Sequence, residues 1–357
     1  MRPEELTPLV VGSQNIKINM KKLILLLLVM NVLVISDAEG QQARIVFYNV
    51  ENLFDTRNDS LTRDEEFLPE GDKNWTYERF RRKIVRIYQT LVALGEGEMP
   101  AVVGLCEIEN RFVLERLIYD TPLSKTGYRI VHRESQDARG VDVALIYHPD
   151  LFSPDTSEWL TVPLSSRETT REILHVTGRM WQNDTLHIYI NHWPSRYGGA
   201  GSSTVKRLAA ASTLAASIKE VMVQDRDAKI IVTGDFNDEP GDESILAINK
   251  ILASVDGGET CKMVNLSDRK AFTATEGTIK HQGAWCVFDQ IIVSDALQQD
   301  RGGLVISSEQ AEIFKPEFLL EPDLTYTGMK PFRTYIGPGY HNGFSDHLPV
   351  SVVIKKE

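Results

Sequence analysis

Cysteine is scarce: the 357 residues hold Cys106, Cys261 and Cys286, with no Cys-x-x-Cys pair and no Cys/His cluster at zinc spacing. A zinc ribbon and a disulfide-built scaffold are therefore excluded, and a chain this long folds on its apolar core without such staples. Cys261 and Cys286 either pair in an oxidising compartment or stay separate thiols, with Cys106 free in both cases. A basic excess is also missing, since 39 Lys and Arg stand against 50 Asp and Glu for a net charge of −11. Affinity that rests on phosphate neutralisation normally needs the opposite balance. Tight non-specific DNA binding would thus require bound cations or a local basic patch, and small substrates, or substrates held through metal ions, stay open. Internal repeats, low-complexity tracts and domain-parting linkers are absent as well. What remains, 42% apolar and 25% charged residues, is the composition of a soluble globular protein with one large or two medium domains.

No apolar run reaches comfortable membrane length. The longest, Leu23 to Ile35, is broken by Asn31 and follows Met20-Lys21-Lys22. A basic start before a short apolar stretch is the pattern of a secretory signal. Ser36 and Ala38 are the small residues that precede a cut, and Ala38-Glu39-Gly40 offers a second one. The first 19 residues do not resemble a signal's basic start, so Met20 is the expected initiator. The expected organisation is an extension plus signal peptide over residues 1–38 and one domain over 39–357, secreted or periplasmic. An uncleaved anchor is the alternative. Losing four basic and three acidic residues would bring the mature charge to −12.

Within 39–357, β-rich runs alternate with helical patterns. Strands are expected at Arg44–Val50, Ala101–Cys106, Tyr128–Val131, Val141–Tyr147, Lys229–Thr233, Val287–Val293 and Leu348–Ile354. A hairpin is expected from Ile173–Trp181 and Leu186–Ile190, turning at Asn183-Asp184. Asn74–Leu94 reads as a helix that buries Phe80, Ile84, Ile87 and Leu91 and turns its basic residues elsewhere; Val205–Val223 reads as a second. Strands outnumber helices and several are joined by short turns, which implies mixed sheets with helices outside.

The chemistry stands where the strands stop. Asn49 and Glu51, Glu107, Asn191-His192, Asp235 and Asn237, Asp289, and Asp346-His347 all flank apolar strands. Any one is an ordinary turn residue, but six such ends drawing on Asn, Asp, Glu and His form a pattern. Buried strands that end in such groups project them into a crevice at the sheet edge. Hard oxygen donors such as Glu107 and Asp346 suit Mg²⁺ or Mn²⁺. Asp235 two residues before Asn237 can orient a water and a substrate oxygen together, and a histidine beside an aspartate can be held as a charged donor. Metal-assisted attack of water on a phosphate ester uses all of these parts.

Gly234-Asp-Phe-Asn and Ser345-Asp-His-Leu-Pro-Val, in this order, with Glu107 after an apolar strand and Asp289 in Phe-Asp-Gln-Ile-Ile-Val, resemble the endonuclease/exonuclease/phosphatase superfamily. That group includes pancreatic-type deoxyribonuclease, abasic-site endonucleases, neutral sphingomyelinases and inositol polyphosphate phosphatases. The resemblance covers residues 44–354 and implies an α/β (α+β) fold, a four-layer sandwich of two mixed β-sheets flanked by helices. It also implies that residues 39–357 are one catalytic domain. By position, Glu107 resembles the main metal ligand, Asn49 the metal-proximal asparagine and Asp346 a second carboxylate at the metal site. Asp235 resembles the residue that orients or deprotonates water, and Asn237 its companion at the phosphate. His347 resembles the phosphate donor, Asp289 its orienting partner, and His192 a further histidine of the deoxyribonuclease and phosphatase branches. Ala138 stands where abasic-site enzymes carry a tyrosine, which argues against that specialty; Arg139 beside it can bind phosphate bidentately. The loops Trp193-Pro-Ser-Arg-Tyr-Gly-Gly and Arg333-Thr-Tyr-Ile-Gly-Pro-Gly-Tyr resemble those of a bacterial secreted subgroup.

Other residues carry two readings each. Arg196 either grips substrate phosphate or is a solvated loop residue, and Arg333 and Tyr335 either line the pocket or belong to a long connection. Arg81-Arg82-Lys83 is either a nucleic-acid patch or a solvated helix face. Cys106 reads as packing rather than a nucleophile, and Trp193 and Trp285 either stack on a base or pack. The expected activity is a Mg²⁺- or Mn²⁺-dependent phosphodiesterase acting on nucleic acid or on a small or lipid phosphate, a monomer with no stable protein partner. A phosphatase or sphingomyelinase-like phospholipase is the first alternative, for which no clear exposed apolar loop is visible. A non-catalytic binding module is the second, although it would be expected to lack Asp235, Asn237 or His347.

Overall fold

The computed structural model describes residues 41–165, 168–196, 200–253, 262–268, 276–299, 303–306 and 311–356. The expected signal segment and Cys261 lie outside these residues. From Gln42 onward the chain is one compact unit.

Alternation of side chains along each strand builds two sheets back to back. The first contains β1 (Gln42–Leu53), β2 (Val102–Ile108), β3 (Arg129–His132), β4 (Asp142–Tyr147), β13 (Leu304–Ile306), β14 (Glu312–Ile313) and β19 (Val350–Lys356). Its order is β13-β19-β1-β2-β4-β3, with β14 also on β19. The second contains β5 (Phe152–Leu160), β6 (Ile173–Met180), β7 (Asp184–His192), β8 (Ile230–Asp235), β9 (Met263–Asn265) and β12 (Asp289–Ser294), ordered β5-β6-β7-β8-β12-β9. In each sheet one central pair is parallel, β1 with β2 and β7 with β8, and the other pairs are antiparallel. A parallel pair needs a crossover. Helix α1 (Tyr77–Leu94) supplies the first and α3 (Ala200–Gln224) the second; α2 (Arg111–Tyr119) and α4 (Glu243–Ala253) complete the outer layers.

Three apolar clusters join the layers. Ile45, Phe47, Leu145, Ile188, Ile190 and Ile291 fill the space between the sheets. Val46, Tyr48, Ile84, Ile87 and Leu117 join the first sheet to α1 and α2, and Val232, Leu214, Ile218, Ile245 and Ile248 join the second to α3 and α4. This is the expected four-layer α/β sandwich.

Local corrections have local causes. Helix α1 starts at Tyr77 rather than Asn74, because Asn74 sits at φ +46° and Thr76 caps the helix by accepting the Arg79 N–H. The β6–β7 turn spans Trp181 to Asn183, with Trp181 and Gln182 at positive φ, so it includes the expected Asn183, while Asp184 already pairs with Met180. Lys83 does not share the exposed face of its basic neighbours: it is 2% exposed. Among secondary elements, α2, α4, the edge strand β5 and the short strands β9, β13 and β14 carried no expectation. The short hairpins β10–β11 (Ile279–His281 and Ala284–Cys286), β15–β16 (Leu320–Pro322 and Met329–Pro331) and β17–β18 (Tyr335–Ile336 and Gly339–Tyr340) decorate one end of the chain.

Candidate active site

The two parallel strand pairs bring their carboxyl ends together, and there the backbone departs from regular strand. Glu51, Asn52, Glu107 and Asn237 have φ of +52°, +54°, +59° and +52°, a region that non-glycine residues seldom occupy and that clusters at functional sites. At Glu107 the pairing of β2 with β4 shifts register, which re-aims the side chain as a bulge does. Its Oε2 accepts the Asn52 N–H at 2.9 Å.

Register sets the second half of the site. His192 lies opposite Asp235, and Asp235 opposite Asp289, so three strands carry these side chains in one row. Gly234 is needed beside them, because a Cβ there would run into the Asn191 backbone. The turn Ser345-Asp346-His347 is pinned to β1 by Ser345 Oγ donating to the Asn49 carbonyl at 2.7 Å. That delivers His347, whose Nδ1 lies 2.6 Å from Asp289 Oδ2. Asp235 Oδ2 lies 3.8 Å from both His192 Nε2 and His347 Nε2, while its Oδ1 accepts the Asn237 N–H at 2.9 Å.

Charge states follow from these contacts. Burial works against a charged His347, but the Asp289 and Asp235 carboxylates outweigh it and hold the imidazole pKa well above its ordinary value. Burial pushes the Asp235 carboxyl up to about 7, with His347 pulling the other way. His192 is buried and faces Arg171, Arg139 and His347, so its pKa falls well below the ordinary value. That favours the neutral ring, whose Nδ1 has no hydrogen-bond partner among the described residues. Cys106 is buried, and burial together with Asp235 and Glu107 pushes its thiol well up, as befits packing.

The carboxylates of the first sheet form a separate group. Glu51 Oε2 accepts the Thr334 N–H at 2.6 Å and lies 3.9 Å from Lys83 Nζ. Arg333 bridges, with Nε 3.3 Å from Glu51 Oε1 and Nη2 3.0 Å from Asp346 Oδ2. Burial works against ionised Asp346, yet Arg333, His347 and Lys83 hold its carboxyl below the usual range. The charges of Glu51, Asp346 and Glu107 all reach Lys83 and Arg333. Hard oxygen donors of this kind suit a divalent cation, and here Lys83 and Arg333 answer the charge of Glu51 and Asp346. Among the described residues, Asp235, Asp289 and His347 also bring ligand atoms within 4.8 Å of one another. Within that trio His347 Nδ1 and Asp289 Oδ2 are already joined at 2.6 Å.

Several expected residues have different surroundings. Asn49 donates from Nδ2 to Asp235 Oδ2 at 3.1 Å, and its Oδ1 accepts the Glu51 N–H at 2.9 Å; it struts Asp235 rather than facing the metal carboxylates alone. Arg139 is at the rim, donating to Asn52 Oδ1 at 3.1 Å. Arg196 is already engaged: it donates to Asp238, Asp242 and the Asn237 carbonyl and lies 4.7 Å from the Phe288 ring centroid. It braces the Asn237 turn through Nε and Nη2. Trp193 is buried against Phe236, which settles it as packing. Glu51, Lys83, Arg171 and Arg333 are the site neighbours that strand-end reasoning left without roles. Glu51 stood beside Asn49 among the strand ends, but its partners Lys83, Arg333 and Thr334 are distant in sequence.

The family model for the Endonuclease/Exonuclease/phosphatase family matches residues 44–356. The chain belongs to the endonuclease/exonuclease/phosphatase family. Its members are phosphoesterase hydrolases that use divalent metals. Solved structures agree in fold. The D. rerio TDP2 structure complexed with single strand DNA product is 15% identical, with a TM-score of 0.54 over 88% of this chain and 100% of that one. The human Nocturnin catalytic domain with bound sulfate is 18% identical, with a TM-score of 0.52 over 88% and 95%. A mannosyl-6-phosphatase of Bacteroides thetaiotaomicron is 16% identical, with a TM-score of 0.51 over 87% and 99%. No curated protein matches the sequence.

Proposed function

We propose that the protein is a Mg²⁺- or Mn²⁺-dependent phosphodiesterase that acts on nucleic acid, working as a secreted or periplasmic monomer. The observation that carries the reading is the row His192, Asp235, Asp289 with His347 bonded to Asp289 at 2.6 Å, set beside the carboxylates Glu51, Glu107 and Asp346. Those three carboxylates would hold the cation. Bound there, it supplies Lewis-acid polarisation of phosphoryl oxygens and neutralises the departing oxyanion.

The chain's own groups do the rest. Asp235, with its carboxyl near neutrality, orients the attacking water and takes its proton. Asn49 and the Asn237 N–H hold both of its oxygens in place. Protonated His347, kept charged by Asp289, donates from Nε2 to a phosphoryl oxygen. His192 adds a neutral hydrogen bond, and Arg139 meets the phosphate from the rim.

A second reading, hydrolysis of a lipid phosphate, has one observation in its favour. The β15–β16 hairpin exposes Leu324 at 94%, with Tyr326 and Met329 exposed beside it, an apolar tip that was not legible in the sequence. The test is digestion of plasmid and single-stranded DNA by purified protein with Mg²⁺, with Mn²⁺ and with chelator. Metal-dependent cutting supports the nuclease reading. Intact DNA alongside metal-dependent turnover of phospholipid head groups would replace it with the second.

A further inference from the structure

Helix α1 and the segment after β18 enclose a groove of about 450 Å³. Arg81, Arg82 and Arg86 line it, with Asn342 on the opposite wall and Glu78 at one end. Three guanidinium groups against one carboxylate is a concentrated positive charge on a chain of net −11. Little in the protein answers that charge. Arg81 is exposed and makes no hydrogen bond or ion pair among the described residues. Arg82 has an exposed i,i+4 pair with Glu78 at 2.6 Å, and exposed pairs contribute little. Arg86 lies 4.6 Å from the centroid of the Phe344 ring. Arg82 and Arg86 are themselves four apart, a spacing at which like charges repel along a helix. The helix carries this repulsion on the exposed face while its one lysine, Lys83, turns inward to hold the loop.

The loop ties the groove to the active site. Arg333 and Thr334, at its start, contact Glu51 and Asp346. Tyr340, Asn342 and Phe344, further along, face α1: Arg79 stacks on Tyr340, and Lys83 Nζ donates to the Phe344 carbonyl at 2.6 Å. Three residues after Phe344 comes His347. One loop thus forms a wall of both the catalytic cleft and the arginine groove.

We infer that this groove binds the flanking phosphates of a single-stranded nucleic acid whose scissile phosphate lies at Asp235 and His347. The inference rests on the phosphodiesterase reading on nucleic acid and adds where the strand runs: from the catalytic cleft along helix α1, as a single strand. Guanidinium groups match phosphate oxygens, and a strand supplies several phosphates in succession where a monoester supplies one.

The test uses the full chain and the variants Arg81→Ser/Arg82→Ser/Arg86→Ser and Arg81→Glu. Arg81→Glu touches an exposed residue with no partner, so it keeps the fold. Binding of a labelled oligothymidylate is read by fluorescence anisotropy in chelator at several salt concentrations, and hydrolysis of bis(p-nitrophenyl) phosphate is read separately with Mn²⁺. Each neutralised phosphate of a single strand contributes roughly 0.7 to the slope of log K against log salt. The triple variant should therefore lower that slope by about 2. Arg81→Glu should weaken oligonucleotide binding at low salt by roughly tenfold or more, the scale of a lost charge-assisted contact. Turnover of the small diester should stay within twofold in both variants. Unchanged slope and affinity in both variants would overturn the inference, as would equal losses on the oligonucleotide and the small diester. If the native protein does not hydrolyse bis(p-nitrophenyl) phosphate with Mn²⁺, the phosphodiesterase reading itself fails, and that outcome is visible without reference to the groove.

Discussion

Removing the Lys83 ammonium should unfasten the active-site loop from helix α1. Lys83 is 2% exposed, yet burial lowers its pKa only to about 8, so it is cationic at neutral pH. It donates to Thr334 Oγ1 at 2.5 Å and to the Phe344 carbonyl at 2.6 Å, and it lies 3.9 Å from Glu51 Oε2. Lys83→Met keeps the volume of the stem but deletes both hydrogen bonds and leaves Glu51 buried with Arg333 as its remaining cationic neighbour. Breaking a buried pair from one side costs about 3–5 kcal/mol. Replacing both members by neutral groups costs much less, so Lys83→Met/Glu51→Gln should recover roughly half of the loss. Urea denaturation of the two single variants and the double variant measures this as a coupling energy. A Lys83→Met protein within about 1 kcal/mol of the native one, below that range, would refute the reasoning. So would strictly additive single losses.

Asp289→Asn should lower turnover by roughly 10²–10⁴, the range of a lost general acid or base, with an unchanged circular dichroism spectrum. The neutral amide no longer sustains the charge on His347; turnover within a few-fold of native would contradict its assigned role. Glu107→Gln should raise the Mn²⁺ concentration needed for half-maximal activity, and an unchanged metal titration would remove Glu107 from the metal set. Buried His175, with a ring nitrogen 3.1 Å from one of half-buried His187, predicts acid lability. Burial, aided by His187, lowers His175 from 6.5 to about 4. Its contribution is complete above about pH 6.5, where the ring is neutral folded or unfolded. It is lost as pH falls toward 4, because the unfolded chain takes up the proton first; the total is roughly 3 kcal/mol. Urea midpoints from pH 7 downward should fall less steeply in His175→Gln, and parallel profiles would contradict this origin.

Much of the layout was legible because burial and chain period agree. The strands with continuous apolar runs, Ile45 to Tyr48 and Ile230 to Val232, sit in the middle of their sheets, where both faces are covered. Edge strand β5 was silent because its burial is slight, and α2 and α4 were silent because the turn residues around them outweigh their short apolar stripes. The row His192, Asp235, Asp289 and His347 was legible by type, each residue standing at a strand end. Its register was not, since pairing partners far apart in sequence leave no local mark. The same limit explains Arg196 and Arg333. Each carried two readings in the sequence, and both meet carboxylates distant in sequence: Asp238 and Asp242 for Arg196, Glu51 and Asp346 for Arg333. Lys83 was misplaced because charge alone put it with Arg81 and Arg82, while the helix turns it between Phe80 and Ile87 on the buried side.

The central claim is that Asp235 and the Asp289-held His347 act as one unit on a phosphodiester. Hydrolysis of bis(p-nitrophenyl) phosphate with saturating Mn²⁺ by the native protein, Asp235→Asn, His347→Gln and the double variant tests it directly. The account predicts that each single variant loses roughly 10³-fold or more, and that the double variant loses little beyond either, because residues acting together are not additive. Near-native turnover in both single variants would contradict it.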